Sequence, residues 1–168
     1  MPDITTERWG ELYDHAFPQV YRALVAATFD RDRALDGLHD AFEEGLRHPP
    51  QDDRNLEGWL YRVALRKTRR GIFTSRREAQ PKDAASRDAA TNDDLTATLD
   101  RLEIGRLLGL LSERQRAIVV AQYYLGLTQD EIADALGIRR GTVSATVSQS
   151  LARMREGVVR PKEGIARG

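Results

Sequence analysis

Thr142, Ser144, Thr146, Ser148 and Gln149, flanked by Arg139, Arg140 and Arg153, gather hydroxyls, an amide and three cations into one short stretch. On a helix narrow enough for the major groove, hydroxyls and amides can read base edges or bind phosphate oxygens, and arginines can neutralise backbone charge. A second cationic group lies upstream, where Arg54, Arg62, Arg66, Lys67, Arg69, Arg70, Arg76 and Arg77 stand against Glu57 alone, with Asn55 at its start. With Trp59, Tyr61 and Phe73 nearby, this density fits a surface that tracks a nucleic-acid strand, cations following phosphates and aromatics stacking on bases. The plainer account is a solvated helix end with core aromatics, and Trp59, on the inward stripe, is expected to pack. A third group, Asp36, His39, Asp40 and Glu43, shares one helix face. His39 and Glu43 have the i,i+4 spacing of a metal-ligand pair. A lone histidine beside exposed carboxylates is far more often a solvated face, His15 and His48 bring no matching cluster, and neither a nucleophile nor a phosphate-cradling glycine loop is evident. No catalytic residue, metal or other cofactor is therefore expected, and the chain does not read as an enzyme.

The elements that position the first group occupy residues 112–155. Ser112 and Gln115 form a Ser-x-x-Gln capping box ahead of an apolar face at Ile118, Val119 and Gln122/Tyr123. Gly126 stands where a helix needs a left-handed C-terminal residue. Thr128 and Glu131 make a second capping box, Ile132, Ala133 and Leu136 supply a buried face, and Gly137 ends the helix with Ile138 packing back on it. A last helix from about Arg140 carries Val143, Val147, Leu151 and Met154 at core spacing. Two helices across a tight glycine turn, the second with a free polar face, read as a helix-turn-helix. Thr142, Val143, Thr146 and Val147 are β-branched and poor helix formers, so that helix needs its neighbours to hold it.

The 168 residues allow one domain or two small ones, and 40% hydrophobic content is ordinary. With no cysteine, disulfides, thiolate zinc sites and thiol redox sensing are excluded. No run approaches eighteen apolar residues and no signal-peptide pattern appears, so a soluble, cytoplasmic protein is expected. The net charge is zero, which by itself argues against a nucleic-acid binder, but the charge is segregated. From Thr6 to Phe29, Trp9, Leu12, Tyr13, Ala16, Phe17, Val20, Leu24 and Ala27 trace a helical stripe in which Pro18 introduces a kink or a restart. A second helix, Asp32 to Arg47, is expected to bury Leu35, Leu38, Phe42 and Leu46. The segment Asp30 to Glu44 holds Asp30, Asp32, Asp36, Asp40, Glu43 and Glu44 against Arg31 and Arg33. After a His48-Pro49-Pro50 loop, a third helix starts near Asn55 with Leu56, Trp59, Leu60, Val63 and Ala64 inward. Residues 79–94, rich in Ala, Asp, Pro and Ser, read as a flexible linker. A helix over about 95–111 (Leu95, Leu99, Leu102, Leu107, Leu108) leads into the capped motif. The expected architecture is all-α: two small helical domains, 1–78 and 95–168, joined by that linker.

In this order the motifs resemble the extracytoplasmic-function (ECF) sigma factors of the sigma-70 family. Phe17-Pro18-Gln19-Val20-Tyr21-Arg22 is similar to the family's first helix, and Asp36-Gly37-Leu38-His39-Asp40-Ala41-Phe42 to its Asp-Leu-Val-Gln-Glu/Asp-x-Phe motif. Leu56-Glu57-Gly58-Trp59-Leu60-Tyr61-Arg62-Val63-Ala64 is similar to its Trp-Leu-x-x-Ile-Ala helix. Leu110-Leu111-Ser112-Glu113-Arg114-Gln115-Arg116 and Gly141-Thr142-Val143 resemble its second conserved domain, and Ser150-Leu151-Ala152-Arg153-Met154-Arg155 is most similar to actinobacterial members. Each motif is weak alone; together and in order they are specific.

The resemblance implies a promoter-specificity subunit. Asp36, Leu38, His39, Asp40, Phe42 and Glu43 would dock on the β′ clamp helices of core RNA polymerase, whose β flap would be a further contact. Complementary charge there supplies orientation and association rate. Arg54, Asn55, Arg62, Arg66, Lys67, Arg69 and Arg70 would capture the melted −10 strand with a base flipped into a loop pocket, at an unstacking cost of a few kcal/mol. Arg139, Arg140, Thr142, Ser144, Thr146, Ser148, Gln149 and Arg153 would read the −35 duplex. Many members carry Lys or Arg where Ser144, Thr146 and Gln149 stand, so a shallower salt dependence is expected here. Arg66 and Arg70 replace the Asn and Asp often found in the basic helix, and Gly37 replaces a leucine. With no autoinhibitory extension in the sequence, restraint is expected from a separate anti-sigma protein. The alternative is a polymerase-independent helix-turn-helix regulator binding DNA as a symmetric dimer, which would need a dimerisation face that no heptad run or exposed apolar stripe offers.

Overall fold

A computed structural model describes residues 6–52, 54–74 and 92–159. Among them the architecture is all-α, seven helices without a strand: α1 (Thr6–Thr28), α2 (Arg31–Arg47), α3 (Leu56–Thr74), α4 (Asn92–Leu108), α5 (Glu113–Tyr123), α6 (Gln129–Leu136) and α7 (Arg140–Val159). The linker expected over 79–94 lies mostly outside the described residues, and its last three positions belong to α4.

α1 runs unbroken through Pro18. An interior proline removes one helix hydrogen bond, but Pro18 and Asp14, the residue one turn earlier, are both exposed, so water can serve the released carbonyl. α1 ends at Phe29, whose φ of 52° is in the left-handed region and turns the chain into α2. Asp30 caps α2, its carboxylate accepting from Arg33 N at 3.0 Å. α1, α2 and α3 close around Trp9, Ala16, Val20, Leu24, Leu38, Phe42, Leu60 and Ala64. Trp9 is central: its ring meets Phe42 edge-on at 6.3 Å and Trp59 at 6.1 Å. Gly45 leaves the space for that indole, since a Cβ there would overlap it. Leu46, expected in the core, is 57% exposed, because the stripe of α2 rotates away from α1 in its last turn.

Both capping boxes in the C-terminal half form with reciprocal bonds, Ser112 with Gln115 and Thr128 with Glu131. Gly126 at φ 67° and Gly137 at φ 64° take the left-handed positions that only a residue without Cβ adopts readily. α5 buries Ala117, Ile118, Val119, Val120 and Ala121, whereas Tyr123 is exposed where the helix leaves its neighbours. Ile138 packs back against the core. In α4, Leu108 is buried and Leu102 is 60% exposed, so this helix meets the motif through its end.

The two halves share one hydrophobic core. Residues of α1, α2 and α3 and residues of α5, α6 and α7, from Trp9 to Val147, form a single buried cluster. A smaller cluster, Leu108, Leu111 and Val119, is also closed by Ala26 and Phe29 from the α1 end. The seam runs α1 against α5 and α3 against α6.

Candidate nucleic-acid interface

α7 has one buried and one exposed face. Val143 and Val147 are buried, Leu151 and Met154 half-buried, all against α5, α6 and the α4 end. The opposite face leaves Arg139, Arg140, Thr142, Ser144, Ser148, Gln149 and Arg153 exposed. Thr146 is half-buried, and its hydroxyl donates to Thr142 O at 2.7 Å, so its first hydrogen bond is spent within the helix. Arg140 stands 3.8 Å from Asp130 and Arg153 Nη1 donates to Leu110 O at 3.4 Å, both at exposed sites where such contacts are weak and exchangeable.

The basic helix α3 is divided. Arg66 and Lys67 are exposed, Lys67 lying 3.4 Å from Glu44. Side chains of Arg69, Arg70 and Phe73 lie outside the described residues. Arg54 is exposed and chelates Asp52 through Nε and Nη2, and these bonds hold the Asp52 carboxyl down to about 2. Closer to its start, α3 faces the C-terminal half instead of solvent. Asn55 accepts from Gly58 N at 2.9 Å as the helix cap and donates to Leu125 O at 3.0 Å across the seam. Arg62 sits 3.9 Å from Glu131, and its Nε is buried with no hydrogen-bond partner among the described residues.

The aromatics here are structural. Tyr61, expected as a stacking candidate, is fully buried and donates its hydroxyl to Ala117 O at 2.9 Å. Burial pushes its pKa well above the ordinary tyrosine value. Trp59 is half-buried on Trp9, which agrees with the packing role.

On α2, Asp36, His39, Asp40 and Glu43 are exposed, forming the acidic face. Leu38 is fully buried and Phe42 nearly so, and both hold α2 onto α1 and α3. His39 lies over Phe17 at 6.2 Å and Glu43 pairs with Arg47, so both members of the metal-ligand spacing have other engagements. Among the described residues no group of three His, Cys, Asp or Glu side chains is placed to hold a metal ion, and no helix is long and apolar enough to cross a membrane.

Sequence reasoning missed the polar residues of the seam. Arg116, buried at 4% exposure, donates Nε to Ala27 O at 2.9 Å and Nη1 to Leu111 O at 2.8 Å, with its guanidinium 3.9 Å over the Phe29 ring. The carbonyls at a helix C-terminus are its negative end, which is where a cation is stabilised. Burial pulls the Arg116 pKa down and nearby Glu113 opposes that shift. Arg33 makes a two-pronged pair with Glu113 at 2.7 and 3.3 Å. Partners eighty residues apart leave no periodic signal in the sequence.

The sigma-70 region 4 family matches residues 101–154, from the end of α4 through α5 and α6 to most of α7. The ECF RNA polymerase sigma factor SigL of Mycobacterium tuberculosis is 29% identical over 154 residues, covering 86% of this chain and 85% of that one. The RNA polymerase sigma-E factor of Streptomyces avermitilis is 31% identical over 105 residues, covering 62% and 58%. The chain is similar to ECF sigma factors of the sigma-70 family over most of its length. Two solved structures share the fold: CnrH in complex with the cytosolic domain of CnrY, at TM-score 0.60, 20% identity and coverage of 92% and 89%. The other is the sigma factor RpoE in complex with the anti-sigma factor NepR from Bartonella quintana, at TM-score 0.59, 19% identity and coverage of 92% and 100%. The region 4 match falls on the capped motif of α5 to α7, and the acidic and basic helices lie in the N-terminal half.

Proposed function

We propose that this chain is a sigma factor that binds core RNA polymerase and directs it to specific promoters. The acidic face of α2 (Asp36, His39, Asp40, Glu43) docks on the β′ clamp helices, and the region 4 motif adds a contact to the β flap. α3, with Arg54, Asn55, Arg62, Arg66, Lys67, Arg69 and Arg70, captures the melted −10 strand. α7, with Arg139, Arg140, Thr142, Ser144, Thr146, Ser148, Gln149 and Arg153, reads the −35 duplex. The observation that carries this reading is the α7 face: its valines are held by α5 and α6 while the opposite side presents amides, hydroxyls and arginines to solvent. A helix supported in that way enters a major groove as a rigid probe, with arginines on phosphates setting its register. Binding, unstacking and positioning are all physical steps, so no covalent chemistry is asked of the protein. An anti-sigma protein is its expected restraint, supported by the complex in which RpoE of the same fold is held by NepR.

The test is capture of purified bacterial core polymerase by the wild-type chain and by an Asp36→Arg/Asp40→Arg variant. Retention by the wild type and loss in the variant is expected. Failure of the wild type to bind, with a stable homodimer forming on duplex DNA, would overturn the reading in favour of a conventional regulator.

A further inference from the structure

We infer that Asp130 of α6 sets how strongly the duplex is held, by competing with a backbone phosphate for Arg140, and leaves untouched which sequence is read. This rests on the proposed duplex-reading role of α7 and deepens it.

The arginines at the reading face are engaged in different ways. Arg153 Nη1 donates to the carbonyl of Leu110, a neutral partner that leaves its charge uncompensated. Arg140 Nε stands 3.8 Å from Asp130 Oδ1, a carboxylate, with the two side chains 67% and 73% exposed. A pair so exposed contributes little to stability. In duplex binding it weighs more. Each arginine–phosphate contact releases counterions from the DNA, whereas an arginine that keeps a carboxylate beside it brings no net charge to the contact. Asp130 is thus an internal competitor for the position a phosphate would take.

The start of α6 does not depend on Asp130. The Thr128 hydroxyl accepts from Glu131 N at 3.2 Å and Glu131 Oε2 accepts from Thr128 N at 2.8 Å, so the reciprocal cap is complete without it. A carboxylate in the first turn also suits the helix dipole, but Glu131 supplies one already. Position gives Asp130 its other role. In a helix-turn-helix the first helix crosses the DNA backbone and the N-terminal residues of the second meet the groove. Asp130 lies in the first turn of α6 and Arg140 opens α7, so the pair stands where that backbone would pass. Asp134, one turn further along α6, is exposed too, but it has no arginine partner among the described residues. It serves as the internal control for charge alone.

The test uses the full chain, free and with core polymerase, as wild type, Asp130→Asn, Asp134→Asn, Arg140→Gln and Asp130→Asn/Arg140→Gln. Each selects duplexes from a randomised pool. Anisotropy of a labelled duplex that the wild type selects is then followed across a salt series, and circular dichroism checks that the helices persist. Asp130→Asn is expected to bind about fivefold tighter and to steepen the slope of log affinity against log salt by about 1, with the same duplexes selected. Asp134→Asn is expected to stay within about twofold of wild type. In the Arg140→Gln background, Asp130→Asn is expected to gain at most about twofold with the slope unchanged, because no arginine is left to release. A gain that persists in full without Arg140 overturns the proposal in favour of plain repulsion, and an Asp130→Asn chain no tighter than wild type overturns it outright. A change in the duplexes selected also overturns it, since Asp130 would then be reading a base, as a carboxylate can at cytosine N4. If Asp130→Asn loosens α6, Asp130→Ser, whose hydroxyl suits the start of a helix, decides by the same criteria. Selection of no duplex by any chain in either state overturns the reading role of α7 itself, and the proposal falls with it.

Discussion

α3 and α7 are written in similar letters and used differently. Each is an amphipathic helix carrying arginines on its polar side and small or branched residues on its apolar side. α7 is packed along one face alone, so Ser144, Ser148, Gln149 and Arg153 remain in water. α3 is packed along two: Leu60, Val63 and Ala64 in the N-terminal bundle, and Gly58, Tyr61 and Arg62 toward α5 and α6. Arginines are expensive to bury and a surface arginine is the usual outcome, yet Arg116 and much of Arg62 lie in the seam. A basic helix is thus a candidate for nucleic acid by composition, and its availability is decided by what lies across from it.

The largest expected difference between the two regions is in stability. Arg116→Ala removes the donor to Ala27 O and Leu111 O and should lower the unfolding free energy by about 3 kcal/mol or more, since charge-assisted bonds contribute roughly 1.5–3 kcal/mol each. Arg153→Ala on the α7 side, exposed and holding one long bond at 3.4 Å, should change it by at most about 0.5 kcal/mol. Urea unfolding of the two variants compares them directly, and equal losses would break the distinction between seam and reading face.

A matched pair of glycines sharpens it further. Gly58→Ala gains helix propensity but places a Cβ 2.7 Å from Leu127 and Asn55 side-chain atoms, so a net loss of about 1–2 kcal/mol is expected. Gly141, near the start of α7, has nothing within 4 Å of the same atom, and Gly141→Ala should be neutral or stabilising by up to about 1 kcal/mol. Thermal midpoints moving in opposite directions are the expected outcome; a gain at both positions would mean that α6 yields to α3 easily.

The smallest effects on stability belong to the reading face. Gln149→Ala should leave the unfolding free energy within about 0.5 kcal/mol while changing which −35 duplexes are selected from a randomised pool. Arg139→Ala should weaken all duplexes alike and flatten the slope of log affinity against log salt by about 1. Unchanged selection by the Gln149 variant would remove that residue from the reading set.

The C-terminal motif was legible because its signals are local. A capping box needs residues three apart and a left-handed glycine needs no partner, so Ser112, Gln115, Thr128, Glu131, Gly126 and Gly137 stand where their types indicate. Misplaced residues fall where an element ends or turns from its neighbours, as with Leu46, Tyr123 and Leu102, because periodicity knows nothing of where the adjacent helix stops. Leu38 and Phe42 show the same limit from the other side: a motif resemblance marks a helix, while the pitch of that helix decides which of its residues face in.

By itself, then, the sequence determined the helices, their caps and the polar face of α7, all of which follow from spacing within about one or two turns. The closure of both halves around one core, the burial of Tyr61 and Arg116 and the inward turn of Asn55 and Arg62 were decided by tertiary structure alone. These depend on contacts between residues tens of positions apart, where a side chain's neighbours are set by how helices pack and not by what stands beside it in the chain.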